Sequence, residues 1–342
     1  MRLVPRRLMS GQQMQRHASE LSLLAVLAVA LELAAGTGLA YLAGFSNVRA
    51  VLGRFDWPWL TALFGALIIS FAGYYCAYSG IFRVGNGPRL PGRQMLAVVA
   101  AGFGGFIALG GGALDQYALE AAGADEDEAK ARAVGLAGLE HGVLAIGGTA
   151  AAIAVLMLGR RLPPPSFTLP WAVIPIPGLL LAFWLAERYR DRFGYQPGWR
   201  GYVSTFLDSI HLIRQLFVRP QRWWPALTGM AVFWAADAFA AWAGLAAFGF
   251  QMDVAALYIG FATGMLFTRR TGPLAGAGLL ALVLPVTICL SGSPFAVAIV
   301  GVFAYRILAL LLPLPTSLAA LPTLRRMGEH RSPGATAGWL QS

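Results

Sequence analysis

The sequence predicts an all-α integral membrane protein of about eight transmembrane helices, with glycine-broken, re-entrant segments among them. Three observations predict it. Of the 342 residues, 57% are hydrophobic and only 12% are charged. A soluble chain carries about 25% charged residues, and a soluble fold of this size needs more polar surface than this chain supplies. The apolar residues also gather into runs of the roughly 20 residues that a helix needs to cross hydrocarbon. Finally, Lys130 is the only lysine, so the net charge of +10 is arginine charge, and it lies between the apolar runs. Spread in this way it excludes a nucleic-acid-binding domain and suits anionic lipid headgroups, which guanidinium grips bidentately.

The spans follow in order. Residues 1–20 form a basic N-terminal segment. Residues 21–44 are the first span, too long for a signal peptide despite Arg2, Arg6, Arg7 and Arg16 before them. Residues 57–80 are the second, with Trp57 and Trp59 as rim anchors. Residues 96–120 are apolar but broken by Gly102, Gly104, Gly105 and Gly110-Gly111-Gly112. Spans at 133–158 and 171–187 flank a Pro-rich turn, and 225–249, 252–268, 273–291 and 294–316 complete the set. The membrane domain is therefore 21–316, in halves of about 21–187 and 225–316, with 317–342 as a short tail. Cys76 and Cys289 sit inside apolar runs and read as small buried hydrophobes.

The arginines orient the chain. If 96–120 crossed fully, the seven arginines of 188–222 would fall outside, against the positive-inside rule. If it dips in and returns, they fall inside with both termini, Arg269 and Arg270, leaving only Arg49, Arg54, Arg160 and Arg161 outside. The re-entrant reading is preferred, and it places the chain in the plasma membrane with both ends cytoplasmic. Within the linker, Val203, Phe206, Leu207, Ile210, Ile213 and Phe217 recur at helical spacing opposite Asp208, His211, Arg214 and Gln215. The segment 203–218 is either an interfacial amphipathic helix or a helix packed on the bundle.

A weak repeat runs at an offset of 166: Gly110 to Gly276, Gly112 to Gly278, Gly135 to Gly301, and Glu140 to Arg306. With 41 glycines chance matches are common, but broken segments in matching halves point to a transporter-type site at mid-depth. Glu32, Asp237 and Arg306 fall near the middle of apolar spans, where each costs about 2.5–3.5 kcal/mol to insert. They should face the interior. Arg306 can pair with Asp237 or Glu32, leaving the second acid over. The site reading has Arg306 gripping a phosphate; the bland reading is a structural ion pair. Asp115-Gln116-Tyr117 follows the triple glycine and either faces a ligand or caps a broken helix. The run Asp125-Glu126-Asp127-Glu128 suits a helix N-terminus. His141, beside Glu140, has no second His or Cys at ligand spacing, so no metal and no cofactor are expected. No catalytic motif occurs: there is no Gly-x-Ser-x-Gly, P-loop or His-Glu-x-x-His, and Gly85-Asn86-Gly87-Pro88 reads as a turn.

The stretch FGGFIALGGGALDQYALEAAGADEDEAKARAVGLAGLEH (103–141) resembles the first signature of the lysylphosphatidylglycerol synthase transmembrane (flippase-domain) family. Pro273, Gly276-x-Gly278 and Ala304-Tyr305-Arg306 resemble its second signature, and the likeness extends over about 20–325. The resemblance implies an integral membrane domain related to the part that translocates aminoacylated phosphatidylglycerol between leaflets. The 26 residues after 316 are too few for the soluble transferase domain of the full-length synthases, so the resemblance carries no expectation of synthase activity. Two departures stand out: Asp115-Gln116 where the family carries a basic residue, and Leu280-Ala281 where it carries an acid. The expected function is translocation of an anionic phospholipid or polyprenyl-linked lipid. Headgroup contacts are expected from Arg306, Asp237, Glu32, Glu140, His141, Asp115, Gln116, Tyr117 and Tyr305, and hinges from Gly110, Gly111, Gly112, Gly276 and Gly278. The alternatives are a membrane anchor for a cytoplasmic glycosyltransferase and an intramembrane polyprenyl-lipid transferase.

Overall fold

The computed structural model describes residues 11–103, 111–160, 163–193, 198–267 and 278–329. They are helical almost throughout, with no strand among them. Five helical stretches are long and apolar enough to cross a membrane: Trp57–Arg83, Glu126–Met157, Pro165–Arg192, Pro220–Ala246 and Phe295–Leu324.

Helix α1 (Gly11–Ala43) meets α2 (Phe45–Leu52) at 103°, across Gly44 with φ 82°. A left-handed residue there suits glycine and turns the chain sharply. Helix α3 (Trp57–Arg83) follows, its Pro58 in the first turn, where a missing N–H costs nothing. Two short helices come next, α4 (Gly92–Phe103) and α5 (Gly111–Ala121). Helix α6 (Glu126–Met157) begins at Asp125, whose carboxylate accepts from the Glu128 N–H at 2.8 Å, and three acids in the first turn offset the dipole. Helices α7 (Pro165–Val173) and α8 (Pro175–Tyr189) run on to α9 (Trp199–Val218). Then come α10 (Pro220–Ala246), α11 (Val254–Gly264), α12 (Leu280–Leu290), α13 (Phe295–Leu311) and α14 (Leu314–Glu329).

Helices α3 and α10 lie antiparallel at the centre. A Cβ on Gly73 would sit 2.7 Å from the Gly229 carbonyl and the Phe233 nitrogen, and one on Gly229 would sit 2.7 Å from the Gly73 carbonyl. Glycine at both positions lets the backbones touch. Around this pair the chain repeats itself with inverted direction. Helix α3, the short pair α4–α5 and the long α6 are followed later by α10, the short pair α11–α12 and the long α13–α14. Trp57 against Pro220 and Glu126 against Phe295, the starts of matching helices, bracket the 166-residue offset.

Each short pair leaves and returns at one end of the bundle. Gly264 packs against Leu284, and Gly260 against Ile288 and Ser291, so α11 and α12 are an antiparallel hairpin. They enter at the end where the Asp56 N–H donates to the Ala247 carbonyl. Helix α4 starts just past α3's other end, reaches inward until Phe103 meets Tyr74 and Phe71 edge to face, and α5 returns to α6. The two hairpins thus enter from opposite ends.

Several expectations change. The segments 252–268 and 273–291 are not two spans: α11 and α12 have 11 residues each, about 16 Å at 1.5 Å per residue against a core of about 30 Å. The expected dip over 96–120 corresponds to α4 and α5, of 12 and 11 residues. The Pro-rich stretch before 171 is not all turn, because Pro165 opens α7. The expected tail from 317 is helix α14 as far as Glu329, with Tyr117 donating to the Leu324 carbonyl at 3.4 Å. Helix α9 is a bundle-packed helix rather than an interfacial one, since Leu207, Ile210, Ile213 and Leu216 are buried. Cys76 lies exposed on α3 instead of in the core, and Cys289 is partly exposed. Residues 1–10, Arg269, Arg270 and the segment 330–342 lie outside the described residues.

One clasp joins the repeat's long helices. Buried Arg132 of α6 donates from Nη1 to the carbonyls of Phe82 (3.0 Å) and Val84 (2.8 Å), and from Nε and Nη2 to Glu128 (2.9 and 2.7 Å). It satisfies carbonyls that the end of α3 leaves without helical partners. Replacing it strands buried carbonyls, at about 1–3 kcal/mol each. Arg132→Met is expected to lower the thermal midpoint in detergent by several degrees, and Arg132→Lys by less, measured by intrinsic fluorescence. Gly229→Val is expected to destabilise by overpacking, about 1–3 kcal/mol, in the same assay.

Candidate functional site

A cavity of about 260 Å³ lies between the repeats. Its ionisable lining is Glu140, Asp237, Tyr305 and Arg306, among aromatic and aliphatic side chains. The cavity is level with the middle of the long helices. Ile68 is eleven residues from the start of α3 and Arg306 eleven from the start of α13, about 16 Å along each at 1.5 Å per residue. Phe103 at the tip of α4, Met265 just past α11 and Leu280 at the start of α12 also line it, so both hairpins reach this space.

Consecutive residues of α13 tie three helices together. Arg306 donates from Nε to both carboxylate oxygens of Glu32 on α1, at 3.0 and 3.3 Å, and from Nη2 to Glu32 Oε1. Tyr305 donates its phenol to Asp237 of α10 at 2.8 Å. Glu32, Asp237, Glu140 and Arg306 are all buried. The sequence left open which acid Arg306 takes; the fold gives it Glu32 and gives Asp237 the tyrosine. Trp234 donates its indole N–H to the Glu140 backbone carbonyl at 2.7 Å, binding α10 to α6 beside the cavity.

The lining obeys the sequence offset. Leu67 and Phe233, Ile68 and Trp234, Phe71 and Asp237, and Glu140 and Arg306 are each 166 residues apart, and all eight line the cavity. The cavity therefore sits where matching positions of the two halves meet. One half contributes mostly apolar groups with a single carboxylate. The other contributes an indole, a carboxylate and a guanidinium.

Other expected residues lie elsewhere. Asp115, Gln116 and Tyr117 belong to α5 and do not line the cavity. Asp115 is buried, Gln116 donates to Glu120 at 2.7 Å, and Tyr117 reaches α14. They are interior to a helix, not at its cap. His141 shares a 2.8 Å bond with the Ala137 carbonyl one turn back on α6 and is not part of the lining. Gly111 and Gly112 start α5, and Gly278 stands just ahead of α12, where a Cβ would be 3.3 Å from Leu31; Gly110 and Gly276 lie outside the described residues. No group of three or more metal-ligating side chains occurs among the described residues. Sequence reasoning missed Ser70, Trp234 and Thr316 of the lining. Trp234 hides among the apolar residues of its span, and only its pairing with Ile68 at the repeat offset would have pointed to it.

The basic linker forms a second polar cluster. Arg190 pairs with Asp208 at 3.2 Å and Arg214 with Glu187 at 2.9 Å, clamping the end of α8 to α9. His211 lies among these four charges. Burial, seconded by Arg190 and Arg214, holds its pKa below the ordinary 6.5, against the opposing pull of Asp208 and Glu187.

Breaking one partner of a buried pair costs about 3–5 kcal/mol. Glu32→Gln is therefore expected to lower the thermal midpoint strongly, and Glu32→Gln with Arg306→Met to recover much of the loss, tested as a double-mutant cycle in detergent. For His211, the folded protein binds its proton less readily than the unfolded chain. Its contribution is then full above the ordinary pKa and declines as pH falls through that value. The wild type should lose more stability than His211→Gln between about pH 7.5 and 5.5, read by thermal unfolding at each pH.

No family model and no curated protein matches this chain.

Proposed function

We propose that this chain is a multi-pass membrane protein that translocates the headgroup of an anionic phospholipid or polyprenyl-linked lipid. The observation that carries the reading is the cavity itself. It lies at mid-depth, at the meeting of inverted halves, and holds buried ionisable groups where hydrocarbon would be its surroundings. Such groups are expensive in a bilayer and mark substrate or ion paths. Short hairpins from opposite ends that approach one central site are the construction of inverted-repeat transporters. The sequence resemblance to the lysylphosphatidylglycerol synthase transmembrane family supports the same reading.

The arginines orient it. The end of the bundle holding Arg83, Arg89, Arg93 and the linker arginines 188–222 is the cytoplasmic one; the opposite end holds Arg49, Arg54 and Arg160. Both termini are then cytoplasmic, in the plasma membrane.

In this mechanism Glu32 holds the guanidinium of Arg306 as a carboxylate stand-in. A phosphate diester entering the cavity displaces it, exchanging one anion for another on the same fork. Helix α1 carries Glu32, so the exchange removes the polar tie between α1 and α13 and leaves the packing of Gly36 on Phe303. Tyr305 and Asp237 orient the polar part of the headgroup.

The test is leaflet exchange of fluorescent phospholipids in proteoliposomes, read by dithionite quenching. The wild type should exchange an anionic phospholipid faster than protein-free vesicles. Asp237→Asn, which keeps an oxygen to accept from Tyr305, should remove most of that rate while the protein still elutes as the wild type does. Equal rates with and without protein, over a panel of headgroups, would overturn the reading.

A further inference from the structure

We infer that the cavity opens sideways, through a portal between α3 and the junction of α13 with α14, and that its ligand is an amphiphile whose hydrocarbon tail stays outside. The inference rests on the membrane reading above and specifies how the ligand enters.

Ile68 of α3 lines the cavity and is also 49% exposed on the outer surface of the bundle. The same lining includes Leu312, Pro313 and Thr316 from the junction of α13 with α14, of which Thr316 is exposed and Leu312 partly so. One space therefore touches buried Asp237 and Arg306 at its inner end and surface side chains at its outer end. Ile68 stands about 16 Å along α3, so the surface it opens on is level with the middle of a bilayer. An opening at that depth meets acyl chains, not water.

The matching position of the other half is closed. Trp234 stands where Ile68 stands, 166 residues on, and is 1% exposed. Its ring packs on Phe233 and Phe261, and its N–H is bonded to α6. Among the described residues, the wall is therefore closed at Trp234 and reaches the surface at Ile68.

Size gives the same answer. About 260 Å³ falls below the roughly 300–1,000 Å³ of sites that enclose drug-sized ligands whole. A phosphate-bearing headgroup fits, and its acyl or prenyl chains do not. They would pass between Ile68 and Thr316 into the bilayer, where keeping them solvated by lipid costs nothing.

The portal can be tested without relying on transport. The full chain is placed in nanodiscs containing phosphatidylglycerol with a diazirine on the glycerol head, irradiated, digested and mapped by mass spectrometry. Crosslinks are expected on the cavity residues Phe71, Trp234 and Tyr305. They should fall severalfold in Ile68→Trp and Thr316→Trp, which crowd the mouth, and persist or rise in Ile68→Ala, which widens it. Crosslinks confined to outer-surface residues such as Trp184, or cavity crosslinks unchanged in both tryptophan variants, would overturn the portal. The two ideas separate cleanly: cavity labelling without leaflet exchange sinks translocation and keeps the portal, whereas exchange at wild-type rate in both tryptophan variants sinks the portal and keeps translocation.

Discussion

The contact on which the rest of the structure depends is the backbone approach of α3 and α10. Gly73 and Gly229 each lack the Cβ that would strike the other's carbonyl. Close approach lets dispersion act over the full helix faces, the main source of association where apolar solvent offers no hydrophobic drive. It also sets the geometry of everything outward from it. The equivalent residues Leu67 and Phe233, Ile68 and Trp234, and Phe71 and Asp237 come from these two helices, and they form the walls of one cavity because the helices run antiparallel in contact. Nearer one end, α10 meets α13 through Gly244 against the Gly301 carbonyl, which brings Tyr305 and Arg306 to the same level.

Length is the second constraint. Helices of 11 or 12 residues cannot span hydrocarbon alone. In a bilayer, a helix of that length has to pair with a partner and be covered by neighbours, because unpaired peptide groups are not tolerated against lipid. The long helices provide that cover, α14 for α4 and α6 for α5 and α11. Two half-length hairpins inserted from opposite ends leave the chain interrupted in the middle, which is where the cavity is.

Charge placement follows from these two features. A lone guanidinium in an apolar bundle is intolerable, and Arg306 is answered by Glu32 of α1. Adjacent Tyr305 answers Asp237. One turn of α13 therefore holds α1 and α10 by polar contacts. Arg306 also lines the cavity, so this ion pair adjoins open space.

Much was readable from the residues alone. Composition and run length dictate an all-helical chain with membrane-length apolar helices, because apolar surface on this scale must be covered by other helices or by lipid. Glu32, Asp237 and Arg306 stand out in their runs because charge is expensive there, whereas the reading of 96–120 as a dip rested on which side the arginines fall. The 166-residue offset is present in the letters but drowned by the many other glycines; it becomes clear only when equivalent side chains are found around one space. Pairing was undecidable in advance: hydropathy is the same whether Arg306 meets Glu32 or Asp237, and only the rotation and depth of α1 against α13 select the first. Likewise 252–291 is continuous enough in hydropathy to suggest two spans, whereas the reciprocal packing of Gly260 and Gly264 on α12 makes it one hairpin. A one-dimensional pattern specifies which surfaces must be hidden. Which surface hides which is settled by three-dimensional fit, through contacts between residues far apart in the chain.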